Sequence, residues 1–149
     1  MTNRDRQKQE ILSKLQTDSR VQSMEEFTQH GNTNTFEHCK QVADCSYKID
    51  SFLSAKSDLK VLLTGAMLHD FFLYDWHEDD GSAGLHGFTH AAIASDNAKK
   101  YFNVDEKTSH VIQSHMWPLN ITNIPRTREA WIVCMADKYV SLRETLFRR

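Results

Sequence analysis

The dipeptide His69-Asp70 closes an apolar stretch, Leu62-Leu63-Thr64-Gly65-Ala66-Met67-Leu68. Another histidine, His38, lies upstream; further histidines follow at 86, 90, 110 and 115, and Asp137 sits in the last helical pattern. Neutral imidazole and carboxylate together suit divalent transition metals such as Mn, Fe, Ni or Zn, and a carboxylate can bridge two ions. Such ions polarise phosphoryl oxygen and lower the pKa of coordinated water toward neutrality. Asp137 lies between Cys134-Met135-Ala136 and Tyr139-Val140, where a buried carboxylate without a partner would be costly. Groups of this kind, supplied in order on successive apolar-patterned segments, suit a metal-holding helical core.

The elements that must position them read as helices nearly throughout. Few glycines and prolines interrupt the chain, and no run alternates with period two. A first helix is predicted over about 4–16 with Ile11, Leu12 and Leu15 apolar, and a second over about 19–28 with Val21, Met24 and Phe27. Gly31-Asn32-Thr33-Asn34-Thr35 is turn chemistry, with Asn34 placed to cap a third helix and Glu37 in the capping-box position. That helix is predicted to run to about residue 55. Asp58 caps a fourth, which carries the apolar run to His69-Asp70.

Residues 74–89 hold three of the five glycines and read as a long loop. A fifth helix is expected over about 90–101, a sixth from an Asp105 cap to His115, and a last one over about 128–146 after a Thr127 cap. The expected fold class is all-α, a single-domain bundle of six or seven helices over residues 1–149.

Composition bounds the function. With 149 residues, 40% of them hydrophobic, the chain can bury a core. Its net charge of −2 supplies no basic field for a nucleic-acid polymer. Arg126, Arg128, Arg143, Arg148 and Arg149 gather near the C-terminus and read as a solvated helix face. No apolar run approaches the roughly 20 residues that cross a bilayer, and the opening residues Met1 to Gln7 do not read as a signal segment. No membrane partner and a cytoplasmic location are expected. Cys39, Cys45 and Cys134 lack paired metal-ligand spacing and are expected to be reduced, buried and inert.

His38, His69-Asp70, a downstream histidine pair and Asp137 resemble the H…HD…D signature of the HD-domain phosphohydrolase superfamily. The resemblance spans roughly residues 30–140. The run from Gly31-Asn32-Thr33 to His38, with His69-Asp70-Phe71-Phe72 and His115-Met116-Trp117-Pro118, is similar to a bacterial branch of it. It implies that His38, His69, Asp70 and Asp137 ligate one ion. In two-metal members, two further histidines hold a second ion bridged by the HD aspartate; His90 and His115 match best by position, with His86 and His110 in reserve. Where the family often has a lysine, three residues after the HD aspartate, this chain has Leu73. Lys138, Arg126 and Arg128 are the candidate replacements.

The resemblance implies a metal-dependent phosphohydrolase acting on a small phosphorylated molecule such as a nucleotide, by attack of metal-bound hydroxide on phosphorus. His69 and Asp70 are the expected catalytic residues, with Asp70 orienting the water. The alternatives are a phosphodiesterase of the same superfamily and a catalytically silent sensor that binds metal and nucleotide. A purely structural metal fits less well, because such sites are usually closed by four ligands, often cysteines. Among the remaining candidates, His30 reads as a turn residue, and His77 with Asp75, Glu78, Asp79 and Asp80 as a solvated acidic loop. Trp76 and Trp117 could stack on a base or pack in the core.

Overall fold

The computed structural model describes residues 1–28, 32–72 and 83–147, and of residues 83–88 the backbone alone. Among these lie seven α-helices and no strand: α1 (Asn3–Gln16), α2 (Ser19–Gln22), α3 (Thr35–Ser51), α4 (Leu59–Leu68), α5 (Ala83–Phe102), α6 (Glu106–Ser114) and α7 (Arg128–Phe147). The all-α expectation holds.

The helix starts follow local chemistry. Asn34 accepts the Glu37 backbone N–H at 2.8 Å, fixing the first turn of α3 just before His38. Asp58 caps α4 through Val61, and Asp105 caps α6 through Thr108. Thr127 Oγ1 takes the Ala130 N–H at the start of α7. The Asp58 N–H in turn donates to the buried Glu129 carboxylate at 2.8 Å, tying the start of α4 to that of α7.

Helix α4 is the axis of the fold. Its residues from Val61 to Leu68 are buried on every side, as expected of a helix apolar all round. It packs against α1, α3, α6 and α7. Gly65 permits a close approach to α6. A Cβ there would lie 2.5 Å from Val111 Cγ1 and 2.9 Å from Val111 Cβ, on α6. The missing side chain therefore lets α6 lie against α4, so that the two C-terminal ends carrying His69 and His115 come together.

Three boundaries differ from the sequence reading. Helix α5 begins at Ala83, so the C-terminal part of the loop predicted over 74–89 is helical. Gly84 and Gly87 cost about 1 kcal/mol each against alanine in a helix, which burial of the α5 face at Ala91, Ala94 and Ala98 offsets. The second predicted helix is α2 followed by a 3-10 turn, Ser23–Glu26, whose Met24 is fully buried. Helix α3 ends at Ser51 rather than near 55, and Phe52 is 87% exposed. Here Asp50 turns inward, accepting from Arg4 at 2.6 Å and from the Ser57 N–H at 3.0 Å, and the chain turns back around it. On α7 the buried face is Ile132, Val133, Ala136 and Val140, whereas Trp131, Met135 and Tyr139 face outward.

Cys39 and Cys134 are buried thiols, but Cys45 is only half-buried. It packs at the margin of the core formed by α3, α4 and α7. No helix among the described residues is long and apolar enough to cross a membrane.

Candidate metal centre

Five helices deliver the chemistry. His38 comes from the second turn of α3, His69 and Asp70 from the end of α4, His115 from the end of α6, and His90 and Asp137 from the middles of α5 and α7. All six are buried. They form two groups that share one residue: His38, His69, Asp70 and Asp137, and Asp70, His90 and His115.

In the first group, Asp137 Oδ1 lies 2.9 Å from His38 Nε2 and 3.3 Å from His69 Nε2. The two Nε2 atoms are 3.3 Å apart. Asp70 Oδ2 reaches the same two nitrogens at 3.5 and 3.3 Å. In the second group, His90 Nε2 and His115 Nε2 are 3.1 Å apart, and Asp70 Oδ1 is 3.4 Å from each. Asp70 thus turns one carboxylate oxygen to each group.

The far sides of the rings decide which nitrogen is available. His69 Nδ1 donates to the Ala66 carbonyl and His115 Nδ1 to the Ile112 carbonyl, both at 2.6 Å. A carbonyl only accepts, so the Nδ1 atoms carry the protons, and in the neutral rings the Nε2 lone pairs point into the cluster. Both histidines are C-caps, and each ring takes up a carbonyl of the last helical turn. His38 Nδ1 instead meets Glu144 Oε1 at 2.8 Å.

Lone pairs and carboxylate oxygens converging at these distances require a cation. Ligands about 2.1 Å from one ion and 90–109° apart would stand about 3.0–3.4 Å from each other, close to the spacings found here. The donor set therefore fits metal ions in both groups.

The electrostatics express the same demand. Burial opposes protonation of His38, but hydrogen bonds to Asp137 and Glu144 and the charges of Asp137 and Asp70 outweigh it, raising its pKa to about 10. His69 is raised well above the usual imidazole range against the same burial, by the charges of Asp70 and Asp137. Burial would lift the carboxyls, yet His69 and the other histidine contacts hold Asp70 and Asp137 well below the usual range. Burial lowers His115, which favours the neutral ring a metal needs.

Side-chain exposure rises from 0% at His38 and His69 to 7% at His90 and 12% at Asp137. The cluster is therefore approached from the side of α5 and α7.

The remaining candidates sort clearly. His110 stands apart from the cluster, its Nε2 accepting the Arg126 N–H at 2.9 Å. His86 lies on α5 one turn before His90, and its side chain is outside the described residues. Lys138 Nζ donates to the His115 carbonyl at 3.1 Å and also contacts Cys134 Sγ. Arg126 and Arg128 are exposed near the start of α7. Trp117 packs edge-on against Trp131, with ring centroids 5.2 Å apart. His30, Gly31, Leu73, Asp75, Trp76, His77, Glu78, Asp79, Asp80, Arg148 and Arg149 lie outside the described residues.

Glu144 was not among the sequence candidates. The available signal was its spacing, seven residues after Asp137 on α7, which returns a side chain to nearly the same helix face. Without the position of α3, nothing distinguishes it from an ordinary surface glutamate.

A family model described as HD domain matches residues 35–142. No curated protein and no solved structure gave a significant match. The match spans every helix that supplies the cluster, from the turn before His38 to beyond Asp137, and the chain belongs to the HD-domain family.

Proposed function

We propose that this protein is a metal-dependent phosphohydrolase acting on a small phosphorylated molecule, a nucleotide being the leading class. The observation that carries the reading is Asp70, a buried carboxylate whose two oxygens serve two separate groups of histidines. His38, His69, Asp70 and Asp137 would hold one ion, and Asp70, His90 and His115 a second. The mixed imidazole and carboxylate set suits Mn, Fe, Ni or Zn. When bound, such ions supply Lewis acidity toward phosphoryl oxygen and a more acidic water.

The chain's own part is to hold these groups rigid and dry. The Nδ1 bonds of His69 and His115 fix both rings, so their Nε2 atoms need no rearrangement to act. Asp70, surrounded by four imidazole nitrogens, would direct a water at phosphorus. Lys138, anchored on the His115 carbonyl, adds positive charge on the α7 side from which a phosphate would enter.

The test is phosphate release from panels of phosphomonoesters and phosphodiesters by protein loaded with each of the four metals. Turnover lost in Asp70→Ala supports the reading, and the panel separates monoesterase from diesterase. Metal-loaded protein that binds nucleotides but releases no phosphate from any of them would replace hydrolysis with sensing.

A further inference from the structure

Resting on that reading, we infer that Glu144 is a positioning residue for the first metal group, holding His38 in its ligating tautomer and strengthening it as a donor.

Three histidines of the cluster have identified Nδ1 partners, and they are not alike. His69 and His115 donate to backbone carbonyls, which are neutral and belong to their own helices. His38 donates to a carboxylate from another helix, Glu144 Oε1, at 2.8 Å. A charged acceptor pulls the Nδ1 proton more strongly and leaves Nε2 more electron-rich, so His38 gains basicity that a carbonyl does not confer. That Nε2 belongs to the group with Asp137 and not to the one with His90 and His115.

The burial of Glu144 adds an independent argument. The residue is 6% exposed, and its other oxygen, Oε2, is buried with no hydrogen-bond partner among the described residues. A buried carboxylate left half-satisfied is costly. Positive charge on the far side of the His38 ring would offset that cost, and it is where the first group would place an ion. Glu144, His38 and the first site thus form one line of charge reaching in from α7, which gives Asp137 and Glu144 of the same helix complementary tasks. One supplies an oxygen to the site, and the other fixes the nitrogen opposite.

The experiment is a titration of the 149-residue chain with Mn²⁺ in a His115→Ala background, where the first group alone remains complete. Glu144→Ala should weaken Mn²⁺ binding about 10- to 100-fold. Glu144→Gln, which keeps a neutral acceptor for the Nδ1 proton, should recover part of that loss. In the reciprocal His38→Ala background, Glu144→Ala should leave binding by the His90 and His115 group unchanged. Folding is followed by circular dichroism, and Arg143→Ala controls for general disturbance of α7. Unchanged first-group affinity in a folded Glu144→Ala protein would overturn the inference while leaving the metal reading intact. Equal weakening in both backgrounds would also overturn it, pointing to packing alone. Failure of the unsubstituted protein to take up any metal would remove the metal reading itself.

Discussion

The rings of His69 and His115 meet edge to face, 4.7 Å between centroids and 79° between planes. Each ring is held by the same device: Nδ1 bonded at 2.6 Å to the carbonyl three residues earlier, at the end of its own helix. Two helices that end in the same way, set side by side by the contact at Gly65, place one Nε2 in each metal group. Asp70 then joins the groups.

Because Asp70 serves both groups, its loss should not be partial. Asp70→Ala is expected to abolish binding at both groups and reduce hydrolysis to background. Elemental analysis and phosphate release check this, and near-normal activity in the variant would sink the assignment.

His90 and His115 belong to one group only. His90→Ala or His115→Ala should lower the bound metal from two ions per chain to one and leave the first group loaded. Elemental analysis of protein purified without a His tag reads the count directly; an unchanged count would remove these residues from the metal shell.

Gly65→Ala places a methyl against Val111, whose β-branched side chain cannot swing aside. Overpacking of this kind costs about 1–3 kcal/mol, so thermal denaturation should shift down accordingly. The displacement of α6 should also weaken the second group more than the first, measurable as a selective loss of one ion. A melting temperature equal to that of the unsubstituted protein would contradict the close approach.

Protons and metal ions compete for the same nitrogens. His38 is raised from 6.5 to about 10 by its carboxylate partners, against the burial that opposes it. A raised folded-state pKa gives stability that is full below pH 6.5 and is lost as pH rises through about 10. Chelator-treated protein should therefore lose stability across that alkaline window, while metal-loaded protein should lose less. Metal uptake should release protons, and its affinity should fall as pH is lowered. Asp70 and Asp137, held low, add stability that disappears only in acid, below the ordinary carboxyl range. Denaturation curves with and without chelator check both arms; identical curves throughout would exclude the competition.

Much of the scaffold of this site was legible in one dimension because its parts obey local rules. The helical periods and the Asn34, Asp58, Asp105 and Thr127 caps depend on residues a few positions apart, and a sequence displays those directly. The signature from His38 to Asp137 spans far more of the chain and was legible as an ordered resemblance to a family. Other features depend on elements distant in the chain. The start of α5 at Ala83 overrides two glycines because tertiary burial of the helix outweighs their propensity. The outward turn of Trp131, Met135 and Tyr139 follows from which face of α7 the other helices occupy. His110 and His115 lie five positions apart on nearly the same helix, and the packing of α6 on α4 sends His115 inward and leaves His110 to the Arg126 backbone. Glu144 acquires its place solely because α3 lies across α7. The sequence by itself determined which groups could bind metal and that helices would carry them. The tertiary structure decided which nitrogen faces which oxygen, because directed lone pairs are fixed by how helices cross and not by their order along the chain.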